Sequence, residues 1–141
     1  MKLTVRLPAV RNPPQPNGLM RRMPTDFRDG KTFPRRGRLA TGDALWLMRA
    51  SDKGRAQAAG TIYDYIYPCP MDQGVMERWR ITPKEFDEAL GKYPTDEALY
   101  EWFRERVSPE DVKRANDWLL RERVENLDRQ DSEEMVPAEH R

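Results

Sequence analysis

The residues that could carry chemistry gather between Thr61 and Trp79, in TIYDYIYPCPMDQGVMERW, which holds the single cysteine, Cys69, and three of the five tyrosines. Cys69 lies between Pro68 and Pro70, and Asp72 is placed to cap a short helix, DQGVMERW, that ends near Arg80. A thiol at a helix N-terminus meets exposed amides and the positive end of the helix dipole, which is the physical basis for a nucleophile or redox centre. Asp52 and Asp72 could act as acid, base or orienting carboxylates, with Tyr63, Tyr65 and Tyr67 adding hydrogen bonds and an aromatic wall. Against a reaction stands the lack of a partner base, because the lone histidine, His140, sits in a polar tail. Most free cysteines are small apolar packing residues, and for Cys69 that reading outweighs the reactive one. One cysteine and one histidine do not make a four-ligand zinc site, so neither metal nor cofactor is expected.

The elements that must position these residues read as helices. Thr41 suits an N-cap, Leu45, Met48, Ala56 and Ala59 recur at helical spacing, and Gly60 is a natural stop. Asp52 falls on that apolar face and needs a partner, either Arg55 or a backbone amide of the next loop. Ile62, Tyr63, Tyr65, Ile66 and Tyr67 fit a short extended segment. Thr82-Pro83-Lys84-Glu85 and Ser108-Pro109-Glu110-Asp111 are helix starts, with Thr95 opening another between them. The last start leads into one longer helix through Val124, and from about Asp131 the chain reads as a frayed polar tail. The expected fold is mainly α, a compact domain of four to five short helices over 24–130, with arm 1–23 and tail 131–141 outside it.

Charge divides along the chain. Residues 1–60 carry 13 basic against 4 acidic groups and 61–141 carry 12 against 20, so a +9 part precedes a −8 part and the net is only +1. Such a basic part can meet nucleic acid, meet a partner, or lie across its own acidic body. Leu3, Val5 and Leu7 alternate before Pro8, Pro13, Pro14 and Pro16, the pattern of an extended arm able to place apolar side chains in a groove. Arg35, Arg36 and Arg38 form the densest basic cluster, in a loop pinned by Phe27 and Phe33 and expected to be solvated. No helix pattern or glycine-rich cradle presents them to phosphates. No apolar run approaches membrane-span length, and a single cysteine suits a reducing, cytoplasmic setting.

DFRDGKTFPRRGR, LMRASDKGRA, YDYIYPCPMDQ, ITPKEFDEAL and TDEALYEWF together resemble a bacterial family, the domain of unknown function numbered five thousand and sixty-nine. The resemblance covers about Asp26 to Leu120, with the Cys-Pro-x-Asp segment its most specific piece. It implies a helical, bacterial, cytoplasmic protein and carries no assigned reaction. The arm to Met23 and the tail after Arg129 read as additions to the family pattern.

The function expected from these residues is non-enzymatic: a binding or accessory subunit that engages a protein partner, with Leu3, Val5 and Leu7 as apolar anchors and Arg35, Arg36 and Arg38 facing an acidic surface. A small-molecule site or enzyme around 61–72, using Asp52, Tyr63, Tyr65, Tyr67, Cys69 and Asp72, is the alternative. Nucleic-acid binding by the basic part is a third reading, with no motif to support it.

Overall fold

The computed structural model describes residues 23–137, and among them six helices and no strand are present. The expected site residues Leu3, Val5 and Leu7, and His140, lie outside the described residues. The helices are α1 (Leu47–Ala59), α2 (Pro70–Trp79), α3 (Pro83–Lys92), α4 (Asp96–Arg106), α5 (Pro109–Glu122) and α6 (Val124–Glu133). None is long and apolar enough to cross a membrane.

Three of the starts follow the sequence signals. The hydroxyls of Thr82, Thr95 and Ser108 accept from the amides of Glu85, Ala98 and Asp111 at 3.0, 3.1 and 3.1 Å, occupying donors that the first turn leaves without a helical partner. The start of α1 differs from expectation. Thr41 and Ala44 exchange both backbone hydrogen bonds at 2.9 Å, and Asn116 of α5 holds the turn by accepting from Leu45 N and donating to Asp43 O. The helix therefore begins only at Leu47, after Trp46 in the left-handed region at φ 72. Gly60 ends α1 in the same region, as a residue without Cβ can.

The longer helix expected after Ser108 breaks at Arg123, and α6 turns back as a separate element whose Leu127 is buried. What reads as a frayed tail is packed at its beginning: Asp131 is buried, and Glu134 is bound to Arg49. The tyrosine-rich segment is a loop with tight turns, and Tyr63 takes φ 58.

Helix α1 is the hub, with Leu47 to Gly54 and Ala56 all buried. It packs on α3, while α2 packs chiefly on α5. Between these layers Trp79 stands edge-on to Phe103 at 4.9 Å and lies 6.4 Å from Phe86, beside Trp46, Leu47, Met76 and Leu99. Burying these rings is the main source of stability, at roughly 1.5–3 kcal/mol per large apolar side chain before the entropy of ordering is subtracted. The loop before α1 is fastened over this body. Phe27 is buried edge-on to Tyr65, its amide donates to Thr61 O at 2.9 Å, and Thr61 Oγ1 donates to Thr25 O.

Candidate functional site

A helix buried on nearly every side would ordinarily be apolar, yet α1 carries Arg49, Asp52 and Lys53 inward. Their i, i+3, i+4 spacing sends them to different partners, and three ion-paired clusters result.

Asp52 is met by Arg35 rather than by Arg55. The amide, Nε and Nη2 of Arg35 reach its two oxygens at 2.8, 3.0 and 2.8 Å, and the other edge of the guanidinium reaches Asp96 of α4 at 2.7 and 3.1 Å. The Asp52 side chain is wholly buried and that of Arg35 is 12% exposed. Burial pushes the Asp52 carboxyl up to about 6, against the hydrogen bonds and charge of Arg35 that hold it down. Burial also works against the Arg35 cation, but the two carboxylates outweigh it and raise its pKa. The two partners thus pull opposite ways. With Asp52 at about 6, the pair is ionised at neutral pH. Arg55 instead donates to the carbonyls of Leu90 and Tyr93 at the end of α3.

Asp72 anchors the second cluster. Trp46 Nε1 donates to one oxygen at 2.7 Å, while Lys53 Nζ and the Cys69 amide donate to the other at 2.7 and 2.9 Å. Cys69, not Asp72, is the N-cap of α2, and Asp72 is its partner in a reciprocal capping box, with its amide 3.5 Å from Sγ. Lys53 Nζ also lies 3.2 Å from Sγ. Both oxygens of the Asp72 carboxylate have a donor, and the donors come from the loop before α1, from α1 and from the N-cap of α2.

Arg49 forms the third. It grips Glu134 at 2.9 and 2.7 Å and lies over the rings of Trp46 and Tyr65 at 5.5 and 5.8 Å. Tyr65 donates to the same Glu134 at 2.9 Å, and Tyr67 donates to Asp87 at 2.6 Å. Burial first, then the neighbouring carboxylate, raises the pKa of both phenols, so both stay protonated as donors. Tyr63 points away and is 60% exposed.

The six residues expected to share a pocket are therefore distributed. Cys69 and Asp72 come together, Asp52 belongs to the Arg35 cluster, and the three tyrosines go to three places. The arginine cluster is half-buried and ion-paired rather than freely solvated: Arg36 and Arg38 meet Asp131 at 2.7 and 3.0 Å, and Arg38 also meets Asp128 at 2.9 Å. Arg35, Arg36 and Arg38 spend their charge on the chain's own acidic helices. Sequence reasoning missed Arg49, Lys53, Asp96, Asp131 and Glu134. The legible signal was the charged i, i+3, i+4 set Arg49, Asp52 and Lys53 among Leu47, Met48, Ala50, Gly54 and Ala56, which marks several buried ions rather than Asp52 alone.

Among the open concavities beside these clusters is a groove of about 710 Å³ between α1 and α3. Gly54, Ala58, Tyr67, Leu90 and Met23 line it, with the Tyr67–Asp87 hydrogen bond on its wall.

The model of the domain of unknown function family DUF5069 matches residues 31–140, and the chain belongs to that family. The match runs past Arg129 into the tail, so that segment is part of the family pattern rather than an addition. A comparison with curated proteins finds no match.

Proposed function

We propose that the protein is a non-enzymatic binding or accessory subunit of the cytoplasm, and that its N-terminal arm engages a protein partner through Leu3, Val5 and Leu7. The observation that carries the reading is the closure of the ionic clusters. Asp52 and Asp72, the carboxylates suited to proton transfer, are each held by several internal donors, and Tyr65 and Tyr67 are committed to carboxylates. Groups held in this way fix a fold.

Arg35, Arg36 and Arg38 are each ion-paired to carboxylates of the same chain, which favours the arm over this cluster as the contact with a partner. Recognition then falls to the arm, which carries five basic and no acidic residues over 1–22 and an apolar alternation at its beginning. Apolar anchors would supply the affinity and the arm's charge the orientation and encounter rate.

The test uses the full chain expressed in its own host. Native mass and co-purifying species are compared for the unmodified protein and for Leu3→Asp/Val5→Asp/Leu7→Asp. The expected result is a complex that the triple variant loses while its thermal midpoint stays unchanged. A partner retained by the triple variant, or an unmodified protein that runs alone, rejects the proposal.

A further inference from the structure

Packing of α1 against the start of α2 brings an amine to a thiol. Lys53 Nζ lies 3.2 Å from Cys69 Sγ and 2.7 Å from Asp72 Oδ2, and the lysine side chain is only 4% exposed. Among the described residues two acceptors receive the three hydrogens of this buried ammonium, and one of them is a sulfur, a weak acceptor. The contact with sulfur therefore adds little to holding the cation. Cys69 is half-buried rather than sealed, and so is open in part to a solute as small as hydrogen peroxide.

Peroxide converts a thiol to a sulfenic acid, whose sulfur condenses with a second thiol or with a nitrogen. The chain offers no second thiol. The amide of the following residue, which would close a cyclic sulfenamide, is missing because that residue is Pro70. The Asp72 amide, 3.5 Å from Sγ, points its hydrogen at the sulfur as a cap, and its nitrogen lone pair is tied up in the peptide bond. Lys53 is left as the nucleophilic nitrogen in reach, and 3.2 Å is the separation of two atoms poised to react.

The geometry points to a peroxide-driven covalent bond between Lys53 Nζ and Cys69 Sγ. In the first step peroxide is reduced and sulfur oxidised: the O–O bond breaks, an S–O bond forms, and the thiol hydrogen leaves in one water. In the second, Lys53 gives a proton to Asp72 Oδ2, 2.7 Å away, and the freed amine attacks the sulfur. The N–S bond forms, the S–O bond breaks, and hydroxide departs with a second amine proton as water. The product joins α1 to the N-cap of α2 and replaces the Lys53–Asp72 ion pair by neutral groups. This adds a modification to a cluster that otherwise fixes the fold, and it is independent of any partner of the N-terminal arm.

The test treats the full-length protein with hydrogen peroxide at neutral pH, cleaves it after arginine, and analyses the peptides by mass spectrometry. Lys53 falls in peptide 50–55 and Cys69 in peptide 56–78. The two are expected as one linked species, lighter than their sum by two hydrogen atoms, that separates on thiol reduction. Lys53→Arg keeps a cation beside Asp72 but has no nucleophilic amine; it should give no linked species, and its Cys69 should proceed to sulfinic acid. Cys69 of the unmodified protein recovered as sulfinic acid, as a disulfide between two chains or as unreacted thiol overturns the inference. Should Lys53→Arg fail to fold, those outcomes in the unmodified protein decide it alone. The readout is a bond within one chain, so it succeeds or fails separately from the partner proposal.

Discussion

Arg35 binds Asp52 with its backbone amide and both arms of one guanidinium edge, at 2.8 to 3.0 Å, and gives the opposite edge to Asp96. One side chain from the loop before α1 thereby ties that loop to α1 and α4 at once. Replacing it by a shape-filling apolar residue, Arg35→Met, leaves a fully buried carboxylate with only a backbone donor. The cost is expected at about 3–5 kcal/mol, read as a lower urea midpoint. Arg35→Met combined with Asp52→Asn should recover part of that loss, since the orphaned charge is gone.

The Asp52 carboxyl titrates at about 6 when folded against 3.8 in its ordinary state, so the folded protein takes up this proton first. The contribution to stability is present below the ordinary value and lost as pH rises through about 6. Asp52→Asn has no such proton. Between about pH 7 and about pH 4 the unmodified protein should therefore gain stability relative to Asp52→Asn, measured as the difference between their urea midpoints. A difference that stays flat with pH contradicts the assignment.

Lys53 and Asp72 are both buried, with side chains 4% and 0% exposed, 2.7 Å apart. Lys53→Met removes the cation and leaves Asp72 with the Trp46 indole and one backbone amide. A loss of about 3–5 kcal/mol in folding stability is expected. Trp46→Phe removes one neutral donor to the same carboxylate. Its hydrogen-bond cost is smaller, about 1.5–3 kcal/mol, in addition to any loss from the smaller ring.

Gly74 faces the six-membered ring of Trp118 across the α2/α5 contact, and a Cβ there would overlap the ring. The guanidiniums of Arg78 and Arg123 both stand over Trp118, with their Cζ atoms 4.3 and 5.1 Å from its centroid. Gly74→Ala gains about 1 kcal/mol of helix propensity. It must also swing the indole out of that stack, at about 1–3 kcal/mol of overpacking. The thermal midpoint should fall. A rise would mean that the indole moves without loss.

What the sequence determined by itself lies within a few residues of each signal. Thr82, Thr95 and Ser108 cap the helices they precede, Gly60 ends α1, and Phe86, Ala89, Leu90, Leu99 and Phe103 face inward, because capping and periodicity depend on neighbours one to four positions away. The need of Asp52 for a partner was equally legible from its place on an apolar face. Which partner it takes was not. Arg35 lies seventeen residues before Asp52, Asp131 lies ninety-five after Arg36, and Glu134 eighty-five after Arg49. Nothing local favours these pairs over Arg55 or solvent. Tertiary packing decides them, because burying Leu47 to Gly54 of α1 makes an unpaired charge there too costly. The same burial draws the basic loop and the beginning of the tail onto the body, against their local reading as solvated or frayed.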